Sequence, residues 1–146
     1  MKKKLLYGFF ILFLLVQFIP LPRTNPPVTE EIHIPGNLKS VIRNACYDCH
    51  SNETRWPWYA YVAPVSFLIV QHVQEGREEL NFSTWDQYDL EKKLDILEDI
   101  EENIRKDKMP LKQYLWLHRD AQLTPQEKAD IIRWAKNYQR LLKKKL

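Results

Sequence analysis

The chain has 146 residues, a length that suggests one domain. Three glycines, nine prolines and an aromatic content of 12% argue against disorder and against an all-β fold built on many tight turns. The formal net charge is +3; Lys2, Lys3 and Lys4 supply it, and the other 19 basic residues balance 19 acidic ones. No basic field for nucleic acid therefore exists outside the Lys143-Lys144-Lys145 tail.

The N-terminus has the form of a targeting or anchoring segment. Three lysines precede Leu5 to Ile19, which is apolar apart from Gly8 and Gln17 and is closed by Pro20 and Pro22. The run is at the short end for a membrane span and at the long end for a signal-peptide core. No small-residue cleavage site follows, so residues 1–22 are expected to be an uncleaved signal-anchor helix. The lysines would then lie inside and the rest of the chain outside. That makes the chain a single-pass protein of the inner membrane, with its main domain on the periplasmic side. Residues 23–36 are proline-rich and are expected to form an extended tether. His33 in that stretch reads as a solvated linker histidine.

Residues 37–146 are expected to form one helical domain. Leu38, Val41, Ile42, Ala45, Cys46 and Cys49 recur at the spacing of one helix face. That helix runs into Cys46-Tyr47-Asp48-Cys49-His50, which is C-x-x-C-H, the attachment sequence for a c-type haem. Two thiols on neighbouring faces of one turn can add to the two vinyl groups of a haem, and the adjacent His50 can supply the proximal nitrogen to its iron. Other chemistries fit less well. Structural zinc usually takes four protein ligands, and Cys46 and Cys49 are the only cysteines. A thioredoxin-like pair would need a preceding strand, where the pattern here is helical.

After the motif comes a ring-rich loop: Arg55, Trp56, Pro57, Trp58, Tyr59 and Tyr61. These rings are either ordinary core or the walls of a haem pocket, with Arg55 pairing a propionate. Pro64 is placed to open a second helix, which carries His72. Ser83, with Asp86 at capping-box distance, is expected to start a third helix running to about Lys106, with the acidic run Glu98 to Glu102 on its solvated face. Lys108-Met109-Pro110 breaks the pattern. Thr124-Pro125-Gln126-Glu127 then opens a fourth helix with Ile131, Ile132, Ala135, Tyr138 and Leu142 as its apolar stripe.

Several of these residues together form a pattern: Cys46-x-x-Cys49-His50-Ser51-Asn52, Trp58-Tyr59, Ala63-Pro64, Gly76-Arg77, Asn81-Phe82-Ser83-x-Trp85, and Met109-Pro110 before a Trp-containing last helix. The pattern resembles the small haem-binding domain family of cytochrome c-like proteins, common in Bacteroidetes, over roughly residues 34–138. The resemblance implies an all-α, cytochrome c-like fold of about four helices around one covalent haem c. The candidate cofactor-binding residues are Cys46, Cys49, His50, Arg55, Trp56, Trp58 and Tyr59, with His50 and Met109 as the candidate iron ligands. Met109 lies between two helices, and Pro110 stiffens the turn that presents it; His118 and His72 are the alternatives for the sixth position. The expected function is one-electron transfer to a redox partner of unknown identity. A haem-based sensor with a labile or absent sixth ligand is the rival. An enzyme is not expected, because no distal acid–base pair of a peroxidase stands out.

Overall fold

The computed structural model describes residues 2–144, and they form six α-helices joined by turns. The domain is all-α, as its periodicities require, but with more helices than the four expected and without the expected membrane helix.

Helix α1 (Lys2–Val16) is the first departure. It has 15 residues, none of them buried. At 1.5 Å per residue it is about 22 Å long, short of the ~30 Å of a bilayer's hydrocarbon core. No helix among the described residues is long and apolar enough to cross a membrane. The single-pass anchor, and the inner-membrane and periplasmic placement inferred from it, are corrected accordingly. The physical reason lies at Gln17, where the apolar run stops being helical. Its amide Nε2 donates to the carbonyls of Phe13 and Ala63, and its Oε1 accepts from the Ala63 N–H. The chain turns there toward the domain, and Pro20 and Pro22 cannot continue a helix.

The second departure is the proline-rich stretch. It is extended, but it does not hang free. Thr29 and Ile32 donate their N–H groups to the carbonyls of Ser83 and Phe82, and Trp85 donates to that of Glu30. This places Glu30 and Thr84 in a lone parallel β-bridge. Ile32 and Ile34 are buried in the main core. The stretch is a strap, held by backbone pairing and by two aliphatic side chains that polyproline patterning does not reveal.

Helix α2 (Gly36–His50) buries Leu38, Ile42, Ala45, Tyr47 and Asp48 and ends at Ser51, whose backbone is extended. A short 3₁₀ turn, Trp58–Tyr61, leads to α3 (Val65–Glu79), which packs across α2. Gly76 is what allows the crossing to be close. A Cβ there would lie 2.7 Å from the Cys49 carbonyl oxygen, nearer than any side chain tolerates.

The third helix starts later than expected. Its N-cap is Asp89, whose side chain accepts from the Lys92 N–H, and α4 runs Leu90–Arg105. Ser83 is instead completely buried and accepts a hydrogen bond from the Asn52 N–H. A buried polar network outcompetes the local cap. A single turn, α5 (Lys112–Leu115), precedes α6 (Pro125–Lys143). Helix α6 opens with the expected capping box: Thr124 accepts from the Glu127 N–H, and the Glu127 carboxylate accepts from the Thr124 N–H. Helices α4 and α6 pair antiparallel, and their aliphatic stripes meet α2 and the strap in one core. Trp134 is buried as well and donates its indole N–H to the His33 carbonyl.

Candidate cofactor site

The packing of α2, α3, α4 and α6 leaves a cavity of about 800 Å³. Cys46, Cys49 and His50 line one side. Leu80, Phe82, Ile96, Ile104, Ile131 and Trp134 supply most of the apolar wall, and Met109, Pro110, Leu111 and Tyr114 close it from the segment after α4. The three motif residues share the cavity because α2 carries them through its last turn, where they fall on adjacent faces.

His50 is oriented by backbone alone. Its Nδ1 donates to the Gly76 carbonyl at 2.7 Å and lies 3.2 Å from the Leu80 carbonyl. A carbonyl only accepts, so the proton sits on Nδ1 and the Nε2 lone pair is left for a ligand. Burial lowers the tendency of the ring to protonate, against the pull of the two carbonyls. The side chain is therefore a neutral, fixed imidazole, the state a metal requires. The two thiols are free and not bridged. Burial raises the Cys46 thiol to about 12 and the Cys49 thiol to about 11, so both are protonated at neutral pH.

Behind the motif lies a polar layer that ties the loop after α2 to the turn after α3. Asn81 donates to the Asn52 side chain, the Ser83 N–H donates to Asn81, the Phe82 N–H donates to the His50 carbonyl, and Asn52 donates to the Pro27 carbonyl. Arg77 binds the Ser51 and Thr24 carbonyls, Asn25 Oδ1 and Thr54 Oγ1. Asn52, Gly76-Arg77 and Asn81-Phe82-Ser83 therefore build the scaffold that fixes the motif, and of these only Gly76 and Phe82 also line the cavity.

The ring-rich loop stands elsewhere. Arg55, Trp56, Trp58 and Tyr59 are not among the residues lining the cavity. Arg55 pairs with Asp48 through its Nε at 3.2 Å, which raises its already high pKa. Trp58 is exposed, and Tyr59 reaches His118. The Trp56 indole N–H is buried without a partner. Met109 and His72 both line the cavity, whereas His118 stacks on the outer face of Tyr114 and His33 is exposed. No Lys or Arg is among the lining residues; the charged ones are Asp48, Glu75, Glu79 and Asp99.

Sequence reasoning missed the aliphatic wall from α4 and α6, the two carbonyls on His50, and Asp48. The apolar stripes of α4 and α6 carried the first signal. Nothing in the sequence marked the backbone carbonyls or the buried carboxylate.

No curated protein and no solved structure matches the chain. A family model described as a haem-binding domain matches residues 11–137. That span takes in the strap, the cavity-lining Cys46, Asp48, Cys49 and His50, and most of α6, and the chain belongs to this family of haem-binding domains.

Proposed function

We propose that the cavity holds one haem c, attached through thioethers to Cys46 and Cys49, with His50 and Met109 as the iron ligands, and that the protein transfers single electrons. The observation that carries this reading is the His50 ring. Its Nδ1 is pinned by two carbonyls, its Nε2 is left without a protein partner among the described residues, and it shares one apolar cavity with both cysteines of a C-x-x-C-H sequence.

The residues present fit the group. The wall is aliphatic and aromatic, as a flat apolar macrocycle needs, and the cavity is large enough to enclose much of it. With no guanidinium on the wall, Asn103, Gln113 and His72 are the donors available to the haem carboxylates. The bound haem would supply the one-electron redox couple. The protein's own part is to hold His50 in one tautomer, to exclude water with Ile96, Ile104, Ile131 and Trp134, and to present the Met109 thioether from the segment after α4.

Met109 is preferred to the histidines on placement. His118 lies outside the cavity lining, and His72 sits on α3, the same helix that braces His50 through Gly76. Optical spectra of oxidised and reduced holoprotein, wild type and Met109→Ala, test the assignment. The expected result is loss of the weak sulfur-to-iron charge-transfer band and a lower potential in the variant. An unchanged spectrum in Met109→Ala, with a five-coordinate haem in His72→Ala, would assign the ligand to α3 instead.

A further inference from the structure

Asp48 is an unusual residue for the helix that carries the attachment motif. It is only 7% exposed, yet it bears a carboxylate. Burying a carboxylate costs several kcal/mol unless hydrogen bonds satisfy it. Three donors meet it here. The Arg55 N–H and Nε approach Oδ1 at 3.1 and 3.2 Å, and the Tyr114 hydroxyl donates to Oδ2 at 2.8 Å. Among the described residues, Tyr114 is the one in the α4–α6 connection whose side chain hydrogen-bonds α2; its hydroxyl also lies 3.5 Å from the Asn44 carbonyl. The same ring lines the cavity, as do Met109, Pro110, Leu111 and Gln113. His118 stacks on it from outside at a centroid distance of 4.0 Å.

We infer that the Asp48–Tyr114 hydrogen bond is a latch that fastens the Met109–Tyr114 wall to the motif helix, which makes Asp48 and Tyr114 positioning residues for the group on the far side of the cavity. The connection from Lys106 to Thr124 is tied at both ends: Lys108 and Met109 donate their N–H groups to the Asn103 carbonyl, and Ala121 and Leu123 are buried after the short turn Arg119–Ala121. Between these anchors, the charge-assisted bond from Tyr114 to Asp48 holds the middle of the wall against α2, five residues beyond Met109. The wall and the proximal ligand are referred to one rigid element, since Asp48 precedes His50 by two residues on α2. The latch rests on the haem reading only for its second readout below.

Tyr114→Phe keeps the ring, the stack on His118 and the cavity wall, and removes the bond. In full-length holoprotein, amide hydrogen exchange of residues 111–118 should quicken by about tenfold, the size expected for a hydrogen bond to a charged acceptor, while α6 exchanges as in wild type. Carbon monoxide should bind the reduced variant faster than wild type, because the sixth ligand is held less firmly. Asp48→Asn keeps an acceptor for the tyrosine and should give a smaller change; Asp48→Ala should reproduce Tyr114→Phe. Unchanged exchange in residues 111–118 of Tyr114→Phe would overturn the latch. Equal quickening in α6 would overturn it as well, since that is general destabilisation. Faster local exchange with an unaltered carbon monoxide rate would overturn the positioning of Met109 alone. Loss of haem from the wild type would instead refute the cofactor reading.

Discussion

Single residues decide the geometry of the motif. Gly76 is the clearest case. With 2.7 Å between its would-be Cβ and the Cys49 carbonyl oxygen, Gly76→Ala must push α3 off α2. The expected cost is about 1–3 kcal/mol, the range for overpacking a close contact. It should appear as a lower denaturant midpoint and as reduced haem incorporation, because the Gly76 carbonyl that orients His50 moves too. The thiols give a second prediction. Raised to about 12 and about 11 by burial, they carry little thiolate at neutral pH. In haem-free chain at pH 8, iodoacetamide should therefore modify them about 100-fold more slowly than in urea. Equal rates would mean the thiols are not buried.

These residues also show how far the sequence could be read. Cys46, Cys49, His50 and Met109, singled out by spacing and by the Met-Pro break, all line one cavity. Arg55 and the rings after it lie off the cavity lining, and for Arg55 there is a physical reason. A guanidinium next to a haem motif suggests a carboxylate partner, and it has one, but the carboxylate is Asp48 of the motif itself. Composition cannot distinguish an internal partner from an external one.

At the level of elements, periodicity located α2, α3 and α6 within a few residues. It misjudged the start of α4, where Ser83 has a buried partner in place of a cap. It also could not show that the proline-rich stretch is a strap. Alternating Ile32 and Ile34 were the signal, a two-residue repeat buried on one side. Ile32→Ala should cost about 2–5 kcal/mol, as a fully packed aliphatic does, and circular dichroism melts would record it. A chain beginning at Thr24 retains the strap and should keep its cooperative transition. One beginning at Gly36 lacks both isoleucines and should lose it. If the two shortened chains melted alike, the strap would contribute nothing to the fold.

For the whole molecule, the organising fact is that four helices leave a large apolar cavity in a chain of 146 residues. Apolar space of that size costs stability in a small domain unless something fills it. The molecule is therefore expected to gain stability when haem is bound, and the holoprotein should melt well above haem-free chain. The acidic residues at the cavity's edge, Glu75, Glu79 and Asp99, belong to α3 and α4, and the basic ones lie elsewhere. The net charge of +3 therefore says little about the surface a partner meets there.

The central claim is covalent haem on Cys46 and Cys49, and intact mass after acid–acetone extraction tests it most directly. Protein made alongside a haem c maturation system should keep its colour in the precipitate and carry the mass of one haem, and Cys46→Ala with Cys49→Ala should abolish the adduct. Colour lost to the solvent, with the mass of the unmodified chain alone, would contradict it.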